Sequence, residues 1–208
     1  MSNKKTDNKE IVESDVKTVS QEKKSKYEFI ARHFLYFVLY AIIGWIYEVV
    51  LETFIYKWGF RNRGVLFGPY CPVYGVGALA FIFTVYPIIK NKKFWEKLLY
   101  IPLVFLLCML IATAIELVTS YICEWTMGSW PWQTYADYKI NFQARIALSP
   151  SIRFGIGGVV FLYVLQPLFE KITTKLESKP IKLTANGLTA VIIGVIMICD
   201  CIYTFLLK

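Results

Sequence analysis

Charged residues are scarce in this chain of 208 residues. Lys, Arg, Asp and Glu together make up 18% of it, whereas hydrophobic residues make up 56% and the mean hydropathy is +0.48. A soluble domain has roughly a quarter of its residues charged. The composition therefore excludes an ordinary soluble fold and indicates an integral membrane protein.

Histidine is almost absent, because His33 is the only one. This scarcity excludes chemistry that relies on several imidazoles, and the five cysteines show no zinc or iron–sulfur spacing. The chain also lacks the Gly-x-x-x-x-Gly-Lys-Ser/Thr motif, so it does not hydrolyse ATP through a P-loop. We expect no cofactor and no metal.

Long apolar runs dominate the rest of the chain. Residues 1–28 are polar and are predicted to be a disordered cytoplasmic tail. Residues 29–208 are predicted to form an all-α membrane domain of about five helices, because a helix needs roughly 20 apolar residues to cross the bilayer core. The predicted spans are about 30–56, 70–89, 98–122, 153–170 and 187–207.

The distribution of Lys and Arg among the loops predicts the orientation. With the amino terminus inside, 16 of the 23 basic residues lie on the inner side and 7 on the outer side. Because basic residues favour the cytoplasmic side, the amino terminus is predicted to be cytoplasmic and the carboxyl terminus to lie outside. The net charge of +8 then reflects topology and contact with anionic lipid, and nucleic acid is not an expected partner.

Acidic residues interrupt three of the apolar runs at similar depths. Given the orientation, Glu48, Glu116 and Asp200 fall in the outer half of the membrane. A lipid-facing acid costs about 2.5 kcal/mol or more, so such residues usually face the protein interior and find a partner. Glu48 and Glu52 lie four residues apart on one helical face, where they can meet one guanidinium. The arginines in the two outer loops are Arg61, Arg63, Arg145 and Arg153.

The two outer loops resemble each other. The first reads NRGVLFGPYCPVYGVGAL and the second QARIALSPSIRFGIGGVV. Each has an arginine, a proline five or six residues later and a Gly-x-Gly that enters the next helix, and each follows a helix with a late glutamate. Two helices per unit give parallel repeats, so both loops would lie on the same face of the membrane. We therefore expect two parallel helix-pair repeats and a closing fifth helix.

Two interpretations of these charges remain open, namely structural ion pairs between helices and a polar pocket open to the outside. Several acids at one depth favour the pocket. The residues predicted to bind substrate or to form a buried charge network are Glu48, Glu52, Arg63, Glu116, Arg145, Arg153 and Asp200. The residues predicted to shape the pocket are Trp45, Asn62, Gly68, Pro69, Cys71, Tyr74 and Gly75.

The long second outer loop is rich in aromatic residues. Its sequence is CEWTMGSWPWQTYADYKINFQARIALSPS, and its Trp and Tyr residues fit a belt at the membrane interface. Plain anchoring is the favoured interpretation, and a lid over the pocket is the alternative. The aromatic residues concerned are Trp125, Trp130, Trp132, Tyr135 and Tyr138.

Three segments, GWIYEVVLETF, NRGVLFGPYCPVYGVGAL and NFQARIALSPSIRFGIGG, together resemble the CmpB-like family of small bacterial multi-pass proteins named as ABC-transporter type IV permeases. The resemblance covers about residues 33–165. It implies a transport function in the bacterial plasma membrane, with energy coupling through a separate ATPase subunit. The chain departs from the family pattern in the second loop, where WQTY replaces a Trp-Asp-Tyr element and Ala144 stands where a glycine is usual.

Two other classes of function compete with a permease. An enzyme of acyl or lipid-group transfer at the outer leaflet would use Cys71 as nucleophile, with Arg63 lowering the thiol pKa. No histidine is close enough to act as a general base for Cys71, because His33 is predicted to lie near the inner surface. An enzyme is therefore less favoured. The other class is a membrane scaffold or regulator without transport. Expected partners are membrane lipids, a separate ATPase subunit and further copies of this chain, since helix faces with Gly and Ala permit association.

Overall fold

The computed structural model describes residues 3–177 and 182–207 of the chain. Its elements are α1 (Asn3–Val50), a π-helical segment (Leu51–Ile55), α2 (Pro72–Thr84), α3 (Tyr86–Lys90), α4 (Phe94–Leu99), α5 (Ile101–Met127), a 3₁₀ turn (Gln133–Asp137), β1 (Asn141–Phe142), β2 (Ile146–Ala147), α6 (Leu148–Val160), a second π-helical segment (Phe161–Leu165), α7 (Gln166–Glu177), α8 (Lys182–Ile202) and a third π-helical segment (Tyr203–Leu207). The two short strands pair antiparallel. Apart from this hairpin the regular secondary structure of the described residues is helical, which confirms the predicted all-α class.

Four helical stretches are long and apolar enough to cross a membrane, and a fifth apolar helix is shorter. The long stretches are Ser25–Ile55, Ile101–Met127, Leu148–Thr173 and Gly187–Phe205. They match the first, third, fourth and fifth predicted spans, with bounds shifted by a few residues. The stretch Leu148–Thr173 begins earlier in the chain than the predicted span 153–170. The reason is that Pro150 fits within the first turn of α6, where its missing N–H is not needed.

The second predicted span, 70–89, is not one continuous helix. It consists of Pro72–Thr84, which has 13 residues, followed at Val85 by a break and then by Tyr86–Lys90. Pro87 explains the break, because it has no N–H to donate to the preceding helical turn. Together the two helices extend for about 28 Å, which approaches the ~30 Å of a bilayer core.

Helix α1 begins at Asn3, so residues 3–28 are helical in this structure although their composition predicts a disordered tail. They contain neither proline nor glycine and continue the first span without interruption. A polar sequence with few large apolar residues has little surface to bury, so a helix in it depends mainly on local propensity. The division into a tail and a membrane domain stays a prediction.

The outer surface of the helices is apolar. Between 11% and 28% of the residues in the most apolar window of each long span are buried inside the protein. Large apolar side chains such as Leu110, Val118, Val164 and Ile198 are more than half exposed. In a bilayer such side chains contact lipid, which agrees with a membrane protein whose interior is limited to narrow contacts between helices.

The two predicted repeats share the same helix-packing contact. In the first, Gly75 of α2 lies against the ring and the carbonyl oxygen of Phe37 on α1. In the second, Gly155 of α6 lies against the ring and the carbonyl oxygen of Phe105 on α5. The late glutamates, Glu48 and Glu116, each follow this phenylalanine by 11 residues. The helix pairs α1–α2 and α5–α6 are therefore equivalent units.

Helix α8 closes the bundle against α1. A small apolar cluster joins α1, the first outer loop and α8, and it is formed by Val38, Ala41, Leu66, Tyr70 and Met197. The larger core lies between α1, α2, α5 and the second half of the α6–α7 stretch. This arrangement agrees with two repeats and a closing helix.

A polar network joins the helices at the predicted inner end. The buried hydroxyl of Tyr40 on α1 donates to Gln166 Oε1 on α7 at 2.8 Å. The Tyr86 hydroxyl and Lys90 Nζ, both on α3, donate to the two carboxylate oxygens of Glu170 on α7 at 3.0 and 2.9 Å. These contacts tie α1 and α3 to α7 at the end of the bundle remote from the outer loops.

The repeat contact predicts opposite effects for the two glycines of each Gly-x-Gly. A Cβ atom at Gly75 or Gly155 would lie 2.6 Å from a phenylalanine ring, whereas a Cβ at Gly77 or Gly157 meets nothing within 4 Å. We expect Gly75→Ala and Gly155→Ala to destabilise the protein by about 1–3 kcal/mol through overpacking. The matched variants Gly77→Ala and Gly157→Ala should be neutral or stabilise it by up to about 1 kcal/mol.

Thermal unfolding in detergent, followed by circular dichroism, measures this difference. Equal effects at the first and second glycine of either motif would contradict the shared packing of the repeats.

Candidate functional site

Glu48, on α1, accepts a hydrogen bond from the hydroxyl of Tyr74 in the first turn of α2. The Tyr74 ring lies against Gly44, one turn before Glu48, at a place that a Cβ atom would occupy. Glycine at position 44 thus permits α2 to bring a tyrosine hydroxyl to the acid. Hydrogen bonds to a neutral hydroxyl satisfy a buried carboxyl group without a second charge.

Glu116, on α5, has an equivalent partner from the second outer loop. The Tyr135 hydroxyl, in the 3₁₀ turn, donates to Glu116 Oε1 at 2.7 Å. Glu116 is only 7% exposed, and its Oε2 atom is buried with no hydrogen-bond partner among the described residues. The late glutamate of each repeat therefore accepts a hydrogen bond from a tyrosine hydroxyl. The Tyr135 hydroxyl binds one oxygen of Glu116 and leaves the other without a hydrogen bond from the described residues.

Contacts between the repeats place Glu48 and Glu116 in the same part of the bundle, because the Tyr74 ring that serves Glu48 also contacts the second repeat. The charges of Glu48 and Glu116 both affect the hydroxyl of Tyr135, which lies outside the spans. Its pKa is raised above the ordinary value, first by burial, then by the charge and hydrogen bond of Glu116, and also by the charge of Glu48. Tyr74 and its equivalent Phe154 meet at a ring-centroid distance of 6.4 Å. The repeats thus bring Glu48 and Glu116 to one place.

Glu52 and Arg63 form the ion pair that the sequence favoured. Glu52 is 3% exposed and lies in the π-helical segment Leu51–Ile55 that ends the first span, while Arg63 reaches it from the first outer loop. We expected Glu48 and Glu52 to meet one guanidinium. Glu52 binds Arg63, whereas the hydrogen-bond partner of Glu48 is Tyr74. Glu48 lies one turn deeper than Glu52, so Glu52 is the nearer carboxylate for an arginine that extends from the loop.

Asp200, on α8, binds the first outer loop and is not paired with arginine. The backbone N–H groups of Phe67 and Gly68 donate to its two carboxylate oxygens at 2.9 and 2.8 Å. The hydroxyls of Tyr70 and Thr204 also donate to it. Four donors satisfy this carboxylate fully, so Asp200 fixes the loop to the closing helix and does not extend the Glu48–Glu116 pair.

Arg153 touches both repeats through neutral hydroxyls. Its guanidinium donates to Tyr56, at the end of the first span, at 2.7 Å and to Tyr138, in the second outer loop, at 2.8 Å. Ser149 accepts a further bond at 3.2 Å. Arg153 thus ties the two outer loops together, and no carboxylate is among its hydrogen-bond partners in the described structure.

The residues predicted to shape the pocket lie along the first outer loop. The Trp45 indole donates to Asn62 Oδ1 at 2.8 Å, and Asn62 Nδ2 donates to the carbonyl of Phe67 at 2.8 Å. The Cys71 N–H donates to the carbonyl of Ala41 at 2.9 Å, which fixes the entry into α2. Gly68 binds Asp200, Gly75 packs against α1, and Pro69 is exposed between them.

Cys71 has the environment of an inert thiol. It is 4% exposed, and its pKa is raised to about 12, first by burial and then by the charge of Glu48, with Arg63 offsetting part of the rise. The thiolate is the reactive form, so very little of it exists near neutral pH. The lowering effect expected of Arg63 is present and is outweighed. This environment disfavours the cysteine enzyme that competed with the permease.

A family model described as "Putative ABC-transporter type IV" matches residues 35–205 of the chain. The chain belongs to this family. Comparison with curated proteins and with solved structures gave no match. The matched region of this CmpB-like family includes both repeats and the closing helix, so every residue of the predicted charge network lies within it.

One departure from the CmpB-like pattern has a structural consequence. Ala144 has a φ of +54°, in the left-handed region that favours glycine, and glycine is the residue that the resemblance leads us to expect there. The next residue, Arg145, is 6% exposed and its guanidinium lies between the rings of Tyr121 and Trp130, at 4.1 and 4.0 Å from their centroids. The strained turn thus delivers Arg145 into an aromatic cage.

Arg145 binds a carboxylate that the sequence did not suggest. Its Nη2 lies 2.5 Å from Glu124, and its Nη1 donates to Ser120 at 3.4 Å. Ser120 occupies the position in α5 that Glu52 occupies in the first span, so the loop arginine of each repeat reaches the same helical position. Glu116 lies one turn deeper, as Glu48 does relative to Glu52.

The tyrosines are the functional residues that sequence reasoning missed. Tyr135 and Tyr138 were predicted to anchor the loop at the interface, and the structure places their hydroxyls on Glu116 and Arg153. Trp125, by contrast, is 87% exposed, so anchoring stays the prediction for it. The available signal was the number of acids in the apolar runs, since acids that outnumber the arginines within reach need hydroxyl or N–H donors.

The Glu52–Arg63 pair predicts a specific loss of stability. Arg63→Ala leaves a buried carboxylate without its counter-charge, and a fully buried pair broken in this way costs about 3–5 kcal/mol. We expect about 2–3 kcal/mol here, because 30% of the Arg63 side chain is exposed. Arg61→Ala, in the same loop at an exposed position, should change stability by less than about 0.5 kcal/mol.

Denaturant unfolding in detergent measures both variants. Adding Glu52→Gln to Arg63→Ala should restore part of the loss, because no unpaired charge then remains. A double variant less stable than Arg63→Ala by the full effect of Glu52→Gln would indicate that the two residues act independently.

Proposed function

We propose that this chain is the membrane-spanning permease component of an ABC-type transporter, with a charged site in the outer half of the bilayer. The observation that carries the proposal is the placement of Glu48 and Glu116 at equivalent positions of the two repeats, where Glu116 is buried, Glu48 is half-buried and each accepts a hydrogen bond from a tyrosine hydroxyl. Ionisable groups inside a membrane are costly and usually mark a pathway for a solute or an ion. The fold places one such acid in each repeat. A single contact between two helices does not require two acids.

The location of the pair supports transport better than a purely structural role. Glu52, Glu124 and Asp200 each have strong partners and hold the loops in place. Glu48 and Glu116 lie one turn deeper, and the ion pairs formed by described residues do not include them. The structural charges therefore surround two acids that have only hydroxyl donors, as expected of groups that interact with a transported species.

The orientation belongs to the same proposal. With the amino terminus in the cytoplasm, the two outer loops and the glutamate pair face the exterior of a bacterial plasma membrane, and the network around Gln166 and Glu170 faces the cytoplasm. Solute would then enter or leave through the outer loops, where Arg153 and its hydroxyl partners join the repeats.

A separate ATPase subunit would supply the energy, because the sequence has no P-loop of its own. The test is affinity purification of the full chain from its own host in a mild detergent. We expect a subunit with a P-loop to co-purify and to hydrolyse ATP in the complex. Its absence would contradict the permease proposal and favour an uncoupled carrier or a scaffold.

The glutamate pair gives this test a second readout. In the double variant Glu48→Gln/Glu116→Gln we expect ATP hydrolysis by the complex to fall about tenfold, which corresponds to ~1.4 kcal/mol of lost coupling. Asp137→Asn, which changes an exposed acid of the second outer loop, is the matched control and should leave the rate unchanged. Equal rates in the double variant and the wild type would show that the pair takes no part in coupled transport.

A further inference from the structure

The short helix α4, which joins α3 to α5 at the predicted cytoplasmic end of the bundle, separates apolar from polar side chains. Helical spacing brings its apolar residues to one side, and these are Phe94, Trp95, Leu98 and Leu99. The opposite side carries the charged residues of the segment, which are Lys93, Glu96 and Lys97. The six residues of α4, with Lys93 before them, therefore form an amphipathic segment.

The apolar side of α4 is open in the described structure. None of the residues of α4 is buried, and Trp95 and Leu99 are 74% and 81% exposed. The rings of Phe94 and Trp95 lie edge to face, with their centroids 5.4 Å apart. A contiguous group of large exposed apolar side chains marks a contact with a membrane or with another protein.

Contacts with the spans place α4 at the edge of the membrane. The Tyr163 hydroxyl, in the fourth long stretch of the bundle, donates to the carbonyl oxygen of Lys97 at 2.6 Å. The span that carries Tyr163 continues towards the same end of the bundle for about ten more residues, to Thr173. Helix α4 therefore lies beside the spans and does not project beyond them, which is where tryptophan side chains favour the interface.

Lysines surround α4 and outnumber the acid in it. The segment 90–97 contains four lysines and one glutamate. Two of the lysines form ion pairs with glutamates. The other two, Lys93 and Lys97, do not occur in the ion pairs of the described residues, and they lie four residues apart on the polar side of the segment. Two ammonium groups in this arrangement can donate to the oxygens of one phosphate group.

We propose that α4 and the lysines beside it form a binding site for an anionic phospholipid of the cytoplasmic leaflet. The apolar side of α4 contacts the acyl chains, and Lys93 and Lys97 bind the phosphate of the headgroup. The excess of lysine matches the negative charge of the leaflet, and the position beside the spans matches its depth. This site uses the orientation proposed above and does not depend on the permease function.

Native mass spectrometry of the full chain in detergent tests the site, with phosphatidylglycerol as the anionic probe and phosphatidylcholine as the uncharged comparison. We expect the wild type to retain phosphatidylglycerol in preference. Lys93→Gln/Lys97→Gln should bind it about thirtyfold more weakly, since each lysine near an anionic surface contributes about a factor of five. The matched control, Lys57→Gln/Lys139→Gln, removes two exposed lysines from the outer loops and should bind like the wild type.

Three results of this experiment would overturn the proposal. The first is equal retention of the two lipids by the wild type, and the second is an equal loss of affinity in the control and in Lys93→Gln/Lys97→Gln. Either would show that the chain attracts anionic lipid without a site at α4. The third is displacement of the bound lipid by inorganic phosphate, because the apolar side would then add nothing to binding.

Spin labels test the apolar side in vesicles of phosphatidylglycerol and phosphatidylcholine, in a chain whose five native cysteines are replaced. A label at Leu99→Cys should be more accessible to oxygen, which concentrates in lipid, than to a water-soluble nickel complex. A label at Lys93→Cys should show the reverse. Equal access of the nickel complex to both labels would contradict insertion of α4 into the membrane.

The same labels separate this proposal from docking of a protein. Protection of the Leu99→Cys label that occurs only when a P-loop subunit is bound would make α4 a surface for that subunit and would overturn the lipid site. Failure of such a subunit to co-purify would count against the permease function alone, because lipid binding requires no ATPase.

Discussion

Burial of carboxyl groups within a membrane is the constraint on which the rest of this structure depends. Each acid in the outer half needs donors from the protein, because lipid offers none. The fold supplies them mostly from the outer loops, with Arg63 for Glu52, backbone N–H groups for Asp200 and a tyrosine hydroxyl for Glu116, while the donor to Glu48 comes from the first turn of α2. The outer loops therefore belong to the helix bundle as much as the spans do.

Duplication explains how one small chain builds such a site. The same glycine contact and the same late glutamate occur in both helix pairs, so each pair carries an acid at the same register. The repeats differ in the donor, since Tyr74 comes from the second helix of its own unit and Tyr135 from the longer loop. This asymmetry leaves Glu116 with a free oxygen, which distinguishes the two members of the pair.

The fold class and the repeats were readable from the sequence because they follow from hydropathy and spacing, whereas the depth of Glu48 and Glu116 in the membrane stays a prediction. Pro87 could also have predicted the helix break at Val85. The break was missed because the hydropathy of the run 70–89 is uniform. Partner assignment failed more often, since it depends on loop conformation. Arg145 reaches its cage only through a left-handed turn, and Asp200 binds backbone N–H groups, which no side-chain pattern reveals.

The central claim is that the two repeats bring Glu48 and Glu116 to neighbouring positions inside the bundle. A short bifunctional thiol reagent tests it most directly in Glu48→Cys/Glu116→Cys, made in a chain whose five native cysteines are replaced. The account predicts rapid cross-linking within one chain and none in Glu48→Cys/Val118→Cys, because Val118 is 58% exposed on the lipid-facing side of α5. Absence of a cross-link between positions 48 and 116, with both thiols reactive towards a monofunctional reagent, would contradict it.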